Sequence, residues 1–375
     1  MKLLKKIALS TTLFVLTALL LCSCAMIKSW FPSDDGGEGE PPHTHKWGKW
    51  ITEIAAACDA GGQQVRVCAC GERETKTTDP TAAHILDADN TCVYCNAPLT
   101  PTEGLAFEAL TSTTCSVIGI GSADRTATSL IIPHTYNGMS VTSIGEEAFK
   151  EMKTLEQLVL PYTLTVVEDF AFSDCNALRA VAIPQATTSL KQYAFDCCYQ
   201  LSSVNFGTNA ALRSIGTCAF FCAAIETLDF GDNSQLRTIG DSAFFSCMSL
   251  TSIRFGANSK LTSIYKYAFN SCEGLTTVVL PDKLTTLREG AFYDCKNLVS
   301  IVLPKSLTSI GKSTFWLCAS MRNIYYCGSV AEWDRISLHA QIGDGFDRST
   351  IYYYSESEIP PNDTFKYWHY APTPW

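Results

Sequence analysis

One short motif recurs along the chain and constrains its fold more than any other feature. An Ala-Phe or Thr-Phe pair marks each copy, and consecutive copies are 23, 23, 25, 24, 25, 23 and 23 residues apart. The phenylalanines of these pairs are Phe149, Phe172, Phe195, Phe220, Phe244, Phe269, Phe292 and Phe315. A period of this size is typical of a solenoid, in which each repeat buries its apolar side chains against its neighbours. A stacked array therefore accounts for most of the 375 residues without one large core.

Each repeat has the same internal order. In the copy around Phe292, the Ala-Phe pair begins a turn or short helix, and a strand follows at residues 298–303. Alternation along a strand predicts three inward side chains, Leu298, Ile301 and Leu303. By the same rule, Ser300 and Val302 are predicted to point outward.

A cysteine recurs three residues after the phenylalanine, at Cys175, Cys198, Cys247, Cys272, Cys295 and Cys318. Met152 takes this position in the first repeat, and Cys222 is assigned to it in a repeat that is shorter by one residue. A position shared by Cys and Met is typical of packed core. Because no histidine or acid recurs beside it, this cysteine ladder is predicted to be buried rather than catalytic.

The consensus L-x-x-I-G-x-x-A-F-x-x-C-x-x-L-x-x-I-x-I-P, over about residues 102–354, is similar to the BspA-type leucine-rich repeats of bacterial surface proteins. The pattern and the resemblance predict an α/β repeat solenoid, a leucine-rich-repeat array with short parallel strands. A β-rich amino-terminal cap is expected at 102–140, eight repeats at 141–327, and a carboxyl-terminal cap with an aromatic tail at 328–375. The resemblance implies a secreted or surface-attached protein, and several members of the family are adhesins for host matrix proteins or other cells.

The amino terminus resembles the signal peptide of a bacterial lipoprotein. A basic start and an apolar stretch up to Leu21 are typical of an export signal, and the stretch is short for a membrane-spanning helix. The sequence Leu21-Cys-Ser-Cys24 is similar to a lipobox, which implies a signal peptide at 1–23 and lipid on Cys24; an ordinary signal peptide cut elsewhere is the alternative. Two or more acyl chains give stable anchoring. Residues 24–42 are acidic and rich in Gly and Pro, so a flexible tether is expected there.

Residues 43–98 hold a small set of cysteines and histidines. Thiolates and imidazoles in two close pairs are typical ligands of tetrahedral zinc, and so small a segment needs a staple to fold. The segment resembles modules that precede leucine-rich repeats in bacterial surface proteins, and a zinc-ribbon-like module is predicted. The candidate ligands of a structural zinc are Cys68, Cys70, Cys92 and Cys95, with His45, Cys58 and His84 as replacements or a second site. Disulfides are the alternative, since the segment lies outside the membrane.

A binding surface is expected on residues that lie outside the core of the repeats. Three middle repeats replace the strand-ending proline by Gly207-Thr-Asn209, Gly231-Asp-Asn233 and Gly256-Ala-Asn258. Loops carry function more often than cores do, so this edge is the preferred contact zone. The candidate ligand-face residues are Asn205, Asn209, Asp229, Asn233, Arg254, Asn258 and Tyr325. The alternatives are looser turns without a ligand and, for Asp229 and Arg254, a surface ion pair of little net worth.

Charge and motifs exclude other classes of function. The chain has a formal net charge of −9, and no cluster of Lys and Arg stands out in the sequence, so nucleic acid is not an expected partner. No nucleophile elbow, phosphate loop or His/acid constellation is found, so the chain is not expected to be an enzyme. The leading hypothesis is a lipid-anchored module at the cell surface that binds a host or cell-surface protein or glycan. A structural cell-envelope protein without a specific ligand is the alternative.

Overall fold

The repeats stack as two ladders of short parallel strands. The computed structural model describes residues 84–92, 99–207, 210–339, 341–343 and 350–354. For Leu86 and for residues 51–54, 63–67, 73–77 and 366–368 it describes the backbone alone. The predicted signal peptide and tether, and most of the predicted Cys/His module, lie outside these residues.

The strands before the repeats are β1 (Ile51–Ile54), β2 (Gln63–Val67), β3 (Arg73–Thr77), β4 (Ile85–Leu86), β5 (Ala106–Ala109), β6 (Thr114–Gly119), β7 (Ser129–Ile131), β8 (Thr135–Tyr136) and β9 (Met139–Ile144). The strands of the repeats are β10 (Gln157–Pro161), β11 (Val166–Val167), β12 (Ala180–Ala182), β13 (Ser189–Leu190), β14 (Ser203–Asn205), β15 (Ser214–Ile215), β16 (Thr227–Asp229), β17 (Thr238–Ile239), β18 (Ser252–Arg254), β19 (Ser263–Ile264), β20 (Thr277–Val279), β21 (Thr286–Leu287), β22 (Ser300–Leu303), β23 (Ser309–Ile310) and β24 (Asn323–Tyr326). The last elements are α1 (Val330–Trp333), β25 (Ser337–Leu338), β26 (Ile351–Tyr354) and β27 (Lys366–Trp368).

The front ladder consists of β10, β12, β14, β16, β18, β20, β22 and β24, which carry the predicted ligand face. Its strands pair in parallel and in register, as Asp229 does with Arg254. The ladder is interrupted twice, so that β10–β12–β14, β16–β18 and β20–β22–β24 form separately hydrogen-bonded sheets. The last of these sheets continues into β26 and β27.

The side ladder consists of β9, β11, β13, β15, β17, β19, β21, β23 and β25, and it is continuous along the array. Each of its inner rungs has two residues, such as Ser263 and Ile264 opposite Thr286 and Leu287. The first residue of such a rung is half-exposed and the second is buried. At the amino-terminal end, β6 joins β9 in parallel, and β5 pairs antiparallel with β6.

The segments that join the side ladder to the front ladder are turns. Two residues per repeat adopt left-handed backbone, as Ser242 and Ser246 do with φ of 53° and 56°. Their N–H groups donate to the next repeat, to the carbonyl oxygens of Lys266 at 2.7 Å and Asn270 at 2.8 Å. Backbone that bonds between repeats cannot also form the internal bonds of a helix. The predicted leucine-rich-repeat solenoid is confirmed. Of the turn and the short helix that the sequence allows for these segments, the structure has the turn, and α1 is the only α-helix in the described part of the chain.

A spine of stacked phenylalanine rings forms the core of the array. The eight repeat phenylalanines stack in order, with ring centroids 5.2 to 6.2 Å apart between neighbours. All eight are at most 2 % exposed. The inward strand residues Leu298, Ile301 and Leu303 are fully buried, as predicted from alternation. At about 1.5–3 kcal/mol for each fully buried large apolar side chain, this repeated set supplies the stability of the array.

The cysteine ladder lies beside this spine, and its predicted burial is confirmed. Each ladder thiol also donates a hydrogen bond, at 3.1 to 3.3 Å, to the carbonyl oxygen of the phenylalanine in the preceding repeat. The assignment of Cys222 to the ladder is wrong. Ala223 takes the ladder position and is buried, whereas Cys222 has left-handed backbone and is only half-buried.

The carboxyl-terminal end of the array is covered by aromatic residues. The helical turn α1 begins with a capping box, in which Ser329 and Glu332 exchange hydrogen bonds. Its Trp333 is buried against Tyr326 and Tyr353, with ring centroids 5.1 and 6.3 Å away. Within the described residues, no helix is long and apolar enough to cross a membrane.

Candidate binding edge

The front ladder and its loops place most of the candidate ligand-face residues on one surface. Asp229, Asn233, Arg254 and Asn258 are exposed, and Asn205 and Tyr325 are half-buried. Asn209 lies outside the described residues. Tyr325 packs against Tyr352 of the capping strand β26, with ring centroids 5.2 Å apart. Residues 229–233 and 254–258 together form the loop edge.

Side chains at the strand ends shape the loops. Asn205 accepts a hydrogen bond from the N–H of Gly207, and Asp229 accepts one from Gly231, each at 2.8 Å. Such bonds to a residue two positions on are the mechanism of an Asx turn. Gly207, Gly231 and Gly256 have φ of 67°, 71° and 72°, a conformation in which glycine avoids the cost of a Cβ. The Gly-x-Asn loops are therefore ordered turns wherever the structure describes them.

One arginine bridges the two loops of the loop edge. Arg254 donates to Asp229 at 2.9 Å and to Asp232 at 2.5 Å. Asp232 also accepts the N–H of Ala257 at 2.8 Å. All three charged side chains are more than half exposed, so each ion pair is worth at most about 1 kcal/mol. The bridge mainly fixes the loops relative to one another.

The two asparagines of the loop edge also form hydrogen bonds between the loops. Asn258 donates from its Nδ2 to Oδ1 of Asn233 at 3.1 Å. The Asn233 N–H also donates to the carbonyl oxygen of Ala257 at 2.7 Å. Both asparagines are exposed, so the edge presents polar groups at fixed positions on a rigid scaffold.

Part of the expected outward face is covered. Val302 is predicted to point outward, and alternation predicts the same for the equivalent strand positions Val159, Ala180 and Ala182. All four are buried, so this part of the prediction is wrong. β4 pairs in parallel with the end of β10, and its Ile85 packs in one cluster with Ala180 and Ala182. Val302 lies between Val279 and Tyr325 on the adjoining rungs. The segment at residue 85 thus closes the first repeats and leaves the later ones open.

We expect Ile85→Asp to detach this segment from the front ladder. A carboxylate opposite the buried Ala180 and Ala182 would be desolvated without a partner, which is unfavourable. Hydrogen exchange of residues 84–92 should then become faster, while that of β22 stays unchanged. Ala88→Asp is the matched control, because Ala88 is exposed in the same segment. Equal exchange in the wild type and the Ile85 variant would contradict the packing.

Two of the seven candidate zinc ligands lie in the described part of the chain. His84 is half-buried and Cys92 is buried. His45, Cys58, Cys68, Cys70 and Cys95 lie outside it. Within the described residues, no group of three or more His, Cys, Asp or Glu side chains is placed to hold a metal ion. The zinc site stays a prediction.

Burial controls the chemistry of the ladder thiols. Desolvation raises the pKa of Cys175 to about 12, and it raises the pKa of Cys198, Cys247 and Cys295 well above the usual value. A thiol in that state is protonated at neutral pH and a poor nucleophile. Cys197, Cys218 and Cys222 lie off the ladder and are only half-buried.

We expect a thiol-alkylating reagent to distinguish these two groups. At pH 8, Cys218 and Cys222 of the native chain should react before any ladder cysteine, because they have access to solvent. The ladder cysteines should react only after unfolding. Peptide mapping by mass spectrometry measures both stages. Equal labelling of Cys247 and Cys222 in the native chain would show that the array opens locally.

The fold also brings together four cations that the sequence analysis did not connect. Arg213, Arg237, Lys260 and Lys283 come from four consecutive repeats and are far apart in the chain. Alignment of the repeats would have found them, because each cation is next to a leucine that recurs in every one of these repeats. Arg213 and Arg237 directly follow this leucine, and Lys260 and Lys283 directly precede it. The absence of a Lys/Arg run was therefore a misleading signal.

The architecture is that of a leucine-rich-repeat solenoid. Its side ladder has parallel rungs of two residues, its front ladder is interrupted twice, and its leucines point inward. A family model of the BspA type leucine rich repeat region matches residues 126–235 and again residues 233–340, which together are more than half of the chain. The chain belongs to the BspA-type leucine-rich repeat family. Proteins with such repeats generally mediate protein binding, and the repeat fold is generally non-enzymatic. A comparison with curated proteins finds no match.

The solved structures to which the chain is similar are distant in sequence. A leucine-rich repeat protein of Bacteroides ovatus is 21% identical, with 69% of this chain and 73% of that chain covered and a TM-score of 0.49. A leucine rich cell surface protein of Faecalibacterium prausnitzii is 18% identical, with 64% and 98% covered and a TM-score of 0.30. The pneumococcal vaccine antigen PcpA is 14% identical, with 69% and 93% covered and a TM-score of 0.27.

Proposed function

We propose that the chain is a surface lipoprotein whose repeat array binds a host or cell-surface protein or glycan through the loop edge. The carrying observation is the bridge of Arg254 to Asp229 and Asp232, which holds two neighbouring loops and their exposed asparagines in register. A preorganised polar surface loses little conformational entropy on binding. The family, whose repeats generally mediate binding, supports a binding role over catalysis.

The binding proposal is tested with the full-length chain, purified in detergent, on an array of matrix proteins, glycans and cells. Saturable binding is expected, and the Asp229→Ala, Arg254→Ala double variant should weaken it about tenfold or more. The matched control is Glu273→Ala, Lys296→Ala, since this pair also links neighbouring repeats at an exposed position, with a separation of 2.5 Å. An equal loss of binding in both variants would place the contact elsewhere.

A structural envelope protein without a specific ligand is the second candidate. It is favoured by the fact that the charged and amide side chains of the loop edge already bond to one another. Failure of the full-length chain to bind anything on the array, together with loss of envelope integrity in a deletion strain, would support this candidate instead.

Anchoring through lipid on Cys24 belongs to the same proposal. Metabolic labelling with a fatty acid should modify the wild-type chain and the Cys22→Ala variant, and it should fail for Cys24→Ala. Labelling of the Cys24→Ala variant would place the lipid on another residue and contradict the predicted lipobox. A wild-type chain without label would indicate an ordinary signal peptide.

A structural zinc in the module at residues 43–98 is the last component of the proposal. A closed set of four protein ligands supports folding and leaves no open position for a reacting water. Elemental analysis of the full-length chain should find zinc, and the Cys68→Ser, Cys95→Ser variant should lose it. A metal-free chain with paired cysteines in this segment would establish disulfides.

A further inference from the structure

Four basic side chains form a patch where the side ladder meets the loops. Arg213 and Arg237 precede β15 and β17, and the N–H of Arg237 donates to the carbonyl oxygen of Arg213 at 2.8 Å. Lys260 and Lys283 occupy one equivalent position in the next two repeats, two residues before Thr262 and Thr285. Those threonines continue the same line of backbone bonds, Thr262 to Arg237 and Thr285 to Thr262, each at 2.9 Å. The four cations are called the basic patch below.

The basic patch has no acidic partner within the described residues. None of its four side chains forms an ion pair there, whereas Arg179, Arg254, Lys266 and Lys296 each do. Asp282, the chain neighbour of Lys283, makes no ion pair with any of the four. The pKa of Lys260 is lowered, first by its contact with the Lys283 side chain and then by the positive charges of Lys283 and Arg237. The fold therefore tolerates repulsion between the positive side chains of the basic patch, although the chain as a whole has a net charge of −9.

We propose that the basic patch binds a linear anionic polysaccharide, with its sulfate or carboxylate groups on Arg213, Arg237, Lys260 and Lys283. Parallel strands are spaced by about 4.8 Å, so neighbouring repeats offer cations at that interval or its multiples. A sugar residue in a linear chain has a comparable length. Charged groups on successive or alternate sugars can thus meet successive repeats, and arginine can bind each group with two parallel hydrogen bonds.

The surroundings favour a polysaccharide over nucleic acid. Binders of single strands combine a basic groove with aromatic side chains on which bases stack. The four cations stack on no aromatic ring in the described part of the chain, and hydroxyl side chains lie one or two residues from them, at Ser214, Thr262 and Thr285. The loops that contain Asn233 and Asn258 lead directly into Arg237 and Lys260 along the chain. Their exposed amides can bind sugar hydroxyls beside the charged groups.

This inference rests on the proposed binding function and names the chemical class of its partner. The probe is heparin, a sulfated linear polysaccharide, offered to the full-length chain in detergent. Saturable binding is expected at low salt, and it should weaken as NaCl is raised, because each cation–anion contact releases counterions. The Arg213→Gln, Arg237→Gln, Lys260→Gln, Lys283→Gln variant should bind about 10- to 100-fold more weakly, with a shallower dependence on salt.

A matched variant removes the same charge elsewhere. Lys153, Lys191, Arg322 and Arg335 are exposed and outside the patch, so their replacement by Gln should leave heparin binding within about twofold of the wild type. An unchanged thermal unfolding midpoint shows that the patch variant is folded, which is expected because its four side chains form no ion pair in the part of the chain that the structure describes. Neutral dextran, single-stranded DNA and vesicles with phosphatidylserine are offered in parallel.

The outcomes separate the inference from the proposed function. Loss of heparin binding in the patch variant alone supports the inference. Equal losses in both variants, or tighter binding of DNA or vesicles than of heparin, overturn it. A partner found on the array that the patch variant still binds also overturns it and leaves the proposed function standing. No binding to any array member, heparin included, overturns both.

Discussion

Replacement of Gly256 by alanine should lower the free energy of unfolding by about 3 kcal/mol, one of the two largest effects we expect. A Cβ at this position would lie 1.9 Å from the carbonyl oxygen of Gly231 and 2.4 Å from its carbonyl carbon. These are backbone atoms, so neither loop can yield without losing the bonds that hold them together. Denaturant unfolding of the full-length chain, followed by circular dichroism, measures the change.

Gly138→Ala is the control for the Gly256 variant. Gly138 has a similar left-handed φ of 78°, but no atom lies within 4 Å of the Cβ position. Its replacement should therefore cost only the backbone penalty of about 1 kcal/mol. Equal losses for the two variants would mean that the close approach of the Gly231 and Gly256 loops has no energetic weight.

Phe244→Ala should lower the free energy of unfolding by about 3–5 kcal/mol. The ring is fully buried and stacks between Phe220 and Phe269, with centroids 5.4 and 5.3 Å away. Its removal leaves a cavity that the rigid rungs on either side cannot fill. Because a solenoid depends on contacts between neighbours, the loss should also separate the unfolding of the two halves of the array.

Phe245→Ala is the matched control for the spine. Phe245 is the next residue and stacks on Phe221 at 4.9 Å, but it is half-buried on the turn. We expect its replacement to cost about 1 kcal/mol and to keep a single unfolding transition. A Phe245 variant as unstable as the Phe244 variant would contradict the assignment of the core.

The sequence predicts the core well because the core is what repeats. Phe149 to Phe315, the inward strand leucines and the buried cysteine ladder all follow from one period and from side-chain alternation. The assignment of Cys222 failed because the residue missing from its repeat lies after the ladder position, between Ala223 and Ile225. Ala223, three residues after Phe220, keeps the ladder position and carries no thiol. The segments after the Ala-Phe pairs are turns rather than short helices because bonds between repeats replace bonds within a helix, which a single repeat cannot reveal.

The surface was less predictable because it depends on contacts between repeats and on segments outside them. The loop edge could be located from Gly231 and Gly256, since glycine marks left-handed turns. The bridge from Arg254 to Asp232 spans two repeats, and no local pattern indicates it. The burial of Ala180 and Ala182 depends on Ile85, which comes from a segment before the array. The basic patch needs the positions of four repeats to be aligned before it can be seen.

The two interruptions of the front ladder make the middle of the array exchangeable. β16 and β18 bond to each other there and to neither flanking sheet, while the side ladder continues past them. The bridge from Arg254 to Asp229 and Asp232 is completed inside this pair of repeats. A cassette of two repeats can thus be grafted into another array of this kind if its side-ladder rungs and spine rings match. Recombination between such genes can therefore exchange this pair of loops without redesigning the scaffold.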